Sequence, residues 1–396
     1  TVKIGGLYQG KSRAFNARTM GFIRARVAGF DNSLLSLPQD QIFAPENIRD
    51  NGFILDEITN PSDAYTANSD LTAGYVLLDN SIFEKLRISW GLRMERFNQH
   101  LESSDYSGNP LTVNNNLTSW LPSANLTYRL NDQHQFRVSA SKTVSRPEFR
   151  EVAPFAFYDF YLNAGVVGSP DLTPGDVFNA DLRYEIYPGQ NELFSVSFFY
   201  KRFTNPIEFT FSSQGAGTRT FSFQNIPGAR NYGVELELRK NLSFIASSLE
   251  DLTFFANGAI IRSRLDLSNV SSFDDNRALQ GQSPYLLNTG LSYNHPDWGL
   301  STTLVYNIIG DRVAQVGTVG YADIYERHRN LLDFQVSKRL GERAEIKLTL
   351  GDILSPDFMY YQDNNANHKY DAGADNVMQR LNYGTTITLG FGYRFN

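Results

Sequence analysis

A period of two in hydrophobicity is the feature of this sequence that most limits its fold. Between Phe178 and Ile186, apolar residues occupy every second position, and Asp181, Arg183 and Glu185 are among the polar residues between them. The same alternation fills three further segments, at 194–201, 232–239 and 386–395. Because successive side chains of an extended chain point to opposite faces, each segment predicts a strand with one apolar and one polar surface.

Several of these runs approach the ~9–11 residues that a tilted membrane-spanning strand needs, whereas soluble strands have about 5–6. We count about fourteen strands along the chain. They begin near Val2, Tyr65, Lys85, Leu117, His134, Asp176, Gln190, Thr220, Asp251, Tyr285, Trp298, Asn330, Ala344 and Tyr383.

The connections between these strands alternate in length. Long connections are expected near 24–64, 102–116, 146–175, 266–284, 313–329 and 355–382, and short ones at 80–84, 131–133, 188–189, 295–297 and 340–343. Two connections break the rule, since 212–219 should be long and 241–250 should be short. Outer-membrane barrels have short periplasmic turns and longer extracellular loops, whereas a soluble sandwich has no reason to sort its loops by parity. The sequence therefore predicts an all-β, antiparallel transmembrane β-barrel whose last strand runs to the periplasm.

Composition excludes several other classes of protein. No stretch approaches the ~20 apolar residues of a helical membrane span. The chain has no Cys and a formal net charge of −6, so neither a disulfide framework, a thiolate site nor a nucleic-acid partner is expected. Motifs for a nucleophilic Ser, a phosphate loop or a zinc helix are absent from the sequence. We therefore expect neither an enzyme nor a cofactor.

Two segments resemble a known family. Residues 141–151 read Ser-Lys-Thr-Val-Ser-Arg-Pro-Glu-Phe-Arg-Glu, and 168–174 read Gly-Ser-Pro-Asp-Leu-Thr-Pro. They resemble the strand end and the loop return of TonB-dependent outer-membrane receptors, especially those abundant in Bacteroidetes. The match departs mildly from the family pattern, because Ser169 stands for the usual Asn and Gly175 for an acidic residue. Segments 91–95, 205–208 and 231–237 add to the resemblance.

The resemblance implies a barrel of about 22 strands with a plugged lumen, of which about eight strands are not in this chain. Residues 1–396 would then be the C-terminal portion of the barrel, with the plug domain and the TonB-contacting segment upstream. Such a receptor sits in the bacterial outer membrane, captures a scarce solute with its extracellular loops and imports it through the barrel. The other partners expected are outer-membrane lipid and a small solute, glycan or peptide. A surface lipoprotein or further subunits of a complex are also open.

Charged residues on the polar strand faces are candidates to line the lumen, because charges facing lipid at the midplane would cost about 2–4 kcal/mol each. They are Arg93, Glu95, Asp181, Arg183, Glu185, Glu235, Glu237 and Arg239. They would either guide a solute or form ion pairs with one another and hold the plug.

A second set of candidates lies on the extracellular loops. It consists of Arg146, Glu148, Phe155, Phe157, Tyr158 and Tyr161, with Phe160 beside them. The aromatic residues would either capture a ligand or pack against neighbouring loops. Arg146, Glu148 and the prolines of the two segments quoted above, Pro147, Pro170 and Pro174, would either shape the rim of the barrel or contact the ligand.

No metal is expected, with one secondary candidate in a loop rich in oxygen ligands: Asp363, Asn365, Asn367 and Asp371, followed by Asp375. The spacing resembles the start of a calcium loop, but His368 replaces the central Gly and the closing Glu is missing. A solvated turn explains the same residues.

Two alternative functions stay open. A passive channel of about fourteen strands would require the first strand to pair with the last, because open sheet edges are not tolerated in lipid. A barrel that serves only surface adhesion or assembly would use its long loops to dock partner proteins. The sequence does not choose among a siderophore, a glycan, a peptide and a vitamin as the solute.

Overall fold

The computed structural model describes residues 1–213, 219–318 and 320–395. Within these residues the chain is almost entirely β-structure. The strands are β1 (Val2–Asn16), β2 (Met20–Arg24), β3 (Phe53–Glu57), β4 (Ala64–Ile82), β5 (Leu86–Ser104), β6 (Pro110–Arg129), β7 (His134–Ser145), β8 (Ala156–Asp159), β9 (Ala164–Val167), β10 (Gly175–Ile186), β11 (Leu193–Thr204), β12 (Ile207–Ser213), β13 (Arg219–Asn225), β14 (Gly228–Asn241), β15 (Leu252–Asp266), β16 (Tyr285–His295), β17 (Leu300–Ile309), β18 (Arg312–Gly317), β19 (Ile324–Glu326), β20 (Arg329–Leu340), β21 (Ala344–Gly351), β22 (Phe358–Gln362), β23 (Asn376–Leu381) and β24 (Thr386–Tyr393).

The helical elements are short. Two have a single α-helical turn, α1 (Gln39–Ile42) and α2 (Phe149–Val152). Five are 3₁₀ turns, at Asn32–Ser36, Pro45–Asn47, Pro61–Asp63, Leu242–Phe244 and Ser247–Leu249. Over the ranges that the structure describes, no helix has the length and apolar character needed to cross a membrane.

A 14-stranded antiparallel sheet forms the wall of the molecule, in the order β1-β4-β5-β6-β7-β10-β11-β14-β15-β16-β17-β20-β21-β24. The predicted number of strands is therefore confirmed. Two predicted strand starts were wrong. The strand placed at Leu117 begins at Pro110, and the strand placed at Thr220 begins at Gly228, because Thr220 belongs to a hairpin of the preceding connection.

One face of this wall is an apolar surface exposed to the surroundings. Val138, Leu182, Phe198, Val234 and Ile260 are direct cross-strand partners on five successive strands. Leu182 is 45% exposed, Phe198 52% and Ile260 74%. Soluble proteins rarely expose a contiguous apolar patch larger than a few hundred Å². This face is the outer face, which meets lipid in a barrel.

The long connections, at the end of the wall opposite the short turns, fold into a second sheet. Its order is β23-β22-β19-β18-β12-β13-β9-β8, and it encloses a core that includes Phe211, Phe221 and Ile324. The sequence predicts these connections as loops, and the structure shows instead that they form strands. The second sheet also explains the irregular parity at 212–219, because β12 and β13 form a hairpin inside one long outer connection, with residues 214–218 outside the described ranges. The connection at 241–250 lies at the short-turn end and contains two 3₁₀ turns.

The two edges of the wall do not meet. β1 pairs with β4 alone and β24 with β21 alone, over the part of the chain that the structure describes. Both edges therefore present unpaired backbone groups.

Candidate functional site

The polar face of the wall carries ion pairs between the predicted lumen residues. Arg93 and Glu95 lie two positions apart on β5, and the Arg93 Nε donates to Glu95 Oε1 over 2.6 Å. The other carboxylate oxygen of Glu95 accepts a hydrogen bond from Arg146, which follows β7. Glu95 is only 6% exposed. A loop candidate and two lumen candidates thus form one cluster around the buried carboxylate of Glu95.

The Arg-Pro pair of the segment 141–151, Arg146 and Pro147, packs onto this cluster at the outer ends of the strands. The side-chain amide of Gln99 on β5 donates to the carbonyl of Pro147 over 3.0 Å, and Asn115 on β6 donates to Gln99 over 2.9 Å. The guanidinium of Arg146 also stacks on Phe97, 4.8 Å from the ring centre. These contacts hold the Arg146 side chain against the wall. Packing at the rim therefore determines its position.

A second cluster lies on the polar face of β10 and its neighbours. Arg183 donates to Glu185 over 2.6 Å and to Glu237 on β14 over 2.7 Å. Glu185, which is 4% exposed, also contacts Arg137 over 3.1 Å and accepts from the Tyr187 hydroxyl over 2.9 Å. A single guanidinium therefore bridges carboxylates of two strands.

The remaining lumen candidates lie on the same face without entering these clusters. Asp181 accepts from Ser139 over 3.0 Å. Asp181 and Glu235 line a polar cleft of about 420 Å³ together with Arg183 and Arg137. Arg239 is exposed at the short-turn end of β14. The structure thus brings five of the eight lumen candidates into direct ion pairs, and sequence alone did not identify Arg137 as a partner.

The loop-return motif is a packing device of the rim. Leu172 is buried in a core cluster at the outer ends of the strands, and the Ser169 amide donates to the Glu151 carbonyl over 2.6 Å. A Cβ at Gly168 would lie 2.0 Å from the Ala153 carbonyl oxygen. Glu148, the other charged rim candidate, caps α2 together with Glu151, whose carboxylate accepts the Glu148 amide over 2.8 Å.

The aromatic loop candidates separate into two groups. Phe155 is buried, with its ring centre 4.6 Å from that of Phe15, and Phe157 lies under the Arg150 guanidinium. By contrast, Tyr161 is 86% exposed. The exposed group also includes Tyr158 and Phe160, whose rings are 5.1 Å apart. Packing accounts for the first group, and a recognition surface is available only in the second.

The oxygen-rich loop holds its own backbone. Asp363 accepts the amides of Asn367 (3.2 Å) and His368 (2.8 Å), and Asp375 accepts those of Asn364 and Asp371. In the described parts of the chain, no group of three or more His, Cys, Asp or Glu side chains is arranged to hold a metal ion. Asn365 caps the Asn367 amide over 3.3 Å in the same turn. The geometry is that of a capped turn.

Sequence reasoning missed a buried charged group in the outer sheet. Arg277 is fully buried and donates two hydrogen bonds to Glu208, over 2.8 and 2.7 Å. Asp323 lies 3.6 Å from the Arg277 Nε and accepts the Gly317 amide over 2.8 Å. Burial raises the pKa of Asp323 to about 7, although the positive charge of Arg277 opposes the shift. These residues are scattered over three connections, so no local pattern marks them.

The fold and this polar inner face define the class of protein, which is an outer-membrane β-barrel wall. A family model described as "TonB dependent receptor-like, beta-barrel" matches residues 16–353. The chain belongs to this family, and its location is the outer membrane of a Gram-negative bacterium.

Solved structures of receptors share the fold. The chain is similar to the ferric-catecholate import receptor Fiu of E. coli K12, with a TM-score of 0.63 at 12% identity, over 100% of this chain and 52% of that chain. For the siderophore receptor PiuA of Acinetobacter baumannii the TM-score is 0.60 at 12% identity, over 86% and 45%. For the ferric yersiniabactin uptake receptor FyuA of Yersinia pestis it is 0.56 at 15% identity, over 84% and 47%. The chain thus spans about half the length of these structures. No curated protein matches the chain.

Proposed function

We propose that this chain is the C-terminal portion of the barrel of a TonB-dependent transporter that takes up a scarce solute. The observation that carries the proposal is the family match over residues 16–353. The unpaired edges of β1 and β24 support it, because a sheet in lipid must close and further strands would close this one.

In this proposal a plug and a TonB-contacting segment lie upstream of Thr1. The paired charges Arg93–Glu95–Arg146 and Arg183–Glu185–Glu237 would then form the surface that the plug covers. Charges that are already paired within the wall leave no uncompensated charge when a plug covers them, which would be the costlier arrangement. They therefore suit a plug that has to move when TonB pulls on it.

The exposed aromatic residues Tyr158, Phe160 and Tyr161 are the part of the rim best placed for first contact with a solute. Aromatic anchors contribute strongly to recognition because they bring a large apolar area at a small cost in entropy. Ferric siderophores are the first solute class to test, since the three similar structures are siderophore or ferric import receptors. Glycans, peptides and vitamins stay in the test.

The experiment compares cells that contain the native full-length protein with cells that lack its gene. Both are given a mixture of ferric siderophores, oligosaccharides, peptides and vitamins, and mass spectrometry follows the depletion of each from the medium. We expect one solute class to be depleted only by cells with the protein, and a protonophore to abolish the difference. Depletion that resists the protonophore would support a passive channel. Equal depletion of every solute by both strains would contradict uptake and favour an adhesion or assembly barrel.

A further inference from the structure

Three arginines form a straight row on the outer face of the wall. Arg202 on β11 is the direct cross-strand partner of Arg230 on β14, and Arg230 is the partner of Arg264 on β15. All three side chains are exposed. They share this face with the apolar partners Phe198 and Val234, so they point away from the lumen.

We propose that this row is a binding site for the phosphate groups of a phosphorylated glycolipid in the outer leaflet of the membrane. The proposal uses the outer-membrane location of the chain and does not depend on which solute is transported.

The repulsion within the row calls for an anionic partner. Cβ atoms of directly opposed residues lie about 4.5–5.5 Å apart, and like charges placed there destabilise a sheet. Arg202, Arg230 and Arg264 take part in no ion pair within the residues that the structure describes. Two carboxylates, Asp266 and Asp275, border the same cleft as the row, and Asp266 accepts the Ser268 amide over 3.2 Å. With Arg262 beside the row, four cations face these two anions. A bound anion would relieve the repulsion.

The height of the row matches a lipid headgroup. Along β11, Phe198 belongs to the exposed apolar surface, and Tyr200 lies two residues further out, opposite Tyr232. Arg202 follows after two more residues, and each such step is about 7 Å along a strand. Apolar band, aromatic girdle and cations thus follow in the order expected across a membrane interface. Arg262, which is exposed opposite Tyr232, adds a fourth cation.

The row also borders a cleft large enough for a phosphorylated headgroup. The cleft has a volume of about 660 Å³, and its walls include all three arginines and the two carboxylates Asp266 and Asp275. Guanidinium groups bind phosphate oxygens in a bidentate manner, which a strongly hydrated ammonium group does not reproduce. The chemistry and the place of the cleft both fit a lipid phosphate.

The test uses the native full-length protein, purified in detergent and freed of lipid, with lipid A as the probe. Native mass spectrometry measures its binding to the wild type, to the triple variant Arg202→Gln, Arg230→Gln and Arg264→Gln, and to the same three positions changed to Lys. The matched control removes three exposed arginines at the periplasmic end, through Arg129→Gln, Arg343→Gln and Arg394→Gln.

We expect the Gln triple variant to bind lipid A at least 10-fold more weakly, the Lys variant to lie between it and the wild type, and the control to bind normally. Lipid A stripped of its phosphates should bind the wild type as weakly as phosphorylated lipid A binds the Gln variant. Equal binding by the Gln variant and the wild type, or equal binding of the stripped lipid, would overturn the proposal. Full displacement of lipid A by millimolar inorganic phosphate would assign the site to a free anion instead. Unheated electrophoresis, in which a folded barrel migrates faster, checks each variant, and the single change Arg230→Gln replaces a triple variant that fails to fold.

Discussion

At the scale of single residues, the rim depends on a close approach between backbone segments that only glycine permits. Gly168 begins the segment that leads back into β10. A Cβ atom added to Gly168 would lie only 2.0 Å from the Ala153 carbonyl oxygen. Gly165, three residues earlier, has nothing within 4 Å of the same position. The two glycines therefore offer a matched pair of substitutions.

Gly168→Ala should force the return segment away from α2 and expose Leu172. Overpacking of this kind costs about 1–3 kcal/mol, so limited proteolysis at 168–174 should become faster than in the wild type. Gly165→Ala should leave the rate unchanged. Equal rates in both variants would show that the close approach does not hold the rim.

The buried Arg277–Glu208 pair should be essential to the outer sheet. Glu208→Gln removes the carboxylate that accepts two hydrogen bonds from the buried Arg277 guanidinium and leaves only Asp323 nearby, 3.6 Å from Nε. Breaking a buried pair on one side costs about 3–5 kcal/mol. Hydrogen exchange in β12 and β18 should accelerate accordingly. The exposed Arg18–Glu57 pair provides the control, since Glu57→Gln removes a screened surface contact. Unchanged protection in Glu208→Gln would contradict this role.

Sequence reasoning placed the charged lumen candidates together on one face of each strand but did not identify their partners. Alternation along β10 assigns Arg183 and Glu185 to one surface. The contact of Arg183 with Glu237 depends on the register between three strands, which no single segment encodes.

At the scale of elements, long strands could be predicted and short ones could not. The wall strands are long and have one face toward the apolar surroundings, so they alternate clearly. β9 and β19 have four and three residues, and their side chains are buried or half-buried on both faces. Without an exposed polar face they lack a period of two, and so the outer sheet was not predicted.

The outer sheet should be less stable at high pH. Asp323 has a pKa of about 7 in the folded sheet because it is buried, whereas an unfolded Asp titrates near ~3.9. Between these two values the folded state retains a proton that the unfolded state has lost, so stability falls as the pH rises. Above about pH 7 the loss is complete, because a carboxylate is then buried beside the already paired Arg277.

Hydrogen exchange measures this effect, after correction for the intrinsic pH dependence of exchange. Protection of β18 and β19 should decrease from about pH 5 to about pH 8. The β17 peptide, which carries no carboxylate, should show no such trend. Protection of β18 and β19 that is constant or rises with pH would contradict the raised pKa of Asp323.

At the scale of the whole molecule, pairing between β1 and β24 would distinguish a small closed barrel from the piece of a larger barrel that we propose. Gly6 on β1 is the register partner of Gly74 on β4, and no residue of β24 pairs with β1. Because these 396 residues contain no Cys, any disulfide within them would come from the introduced residues.

The Gly6→Cys, Gly74→Cys variant should form a disulfide in outer membranes, because directly opposed strand residues satisfy the distance requirement. Gly6→Cys combined with Thr386→Cys, Thr388→Cys or Gly390→Cys should not. Efficient cross-linking of β1 to β24 would mean that these strands close a channel of their own.

The central claim is that this wall belongs to a larger plugged receptor, and the mass of the native polypeptide tests it most directly. The protein is extracted from outer membranes and its intact mass and N-terminal peptides are determined by mass spectrometry. We expect a mass well above that of the 396 residues, with peptides preceding Thr1 that supply the plug and the remaining strands. A native polypeptide that begins at Thr1 would contradict the claim for a single chain and favour a smaller channel or a split assembly.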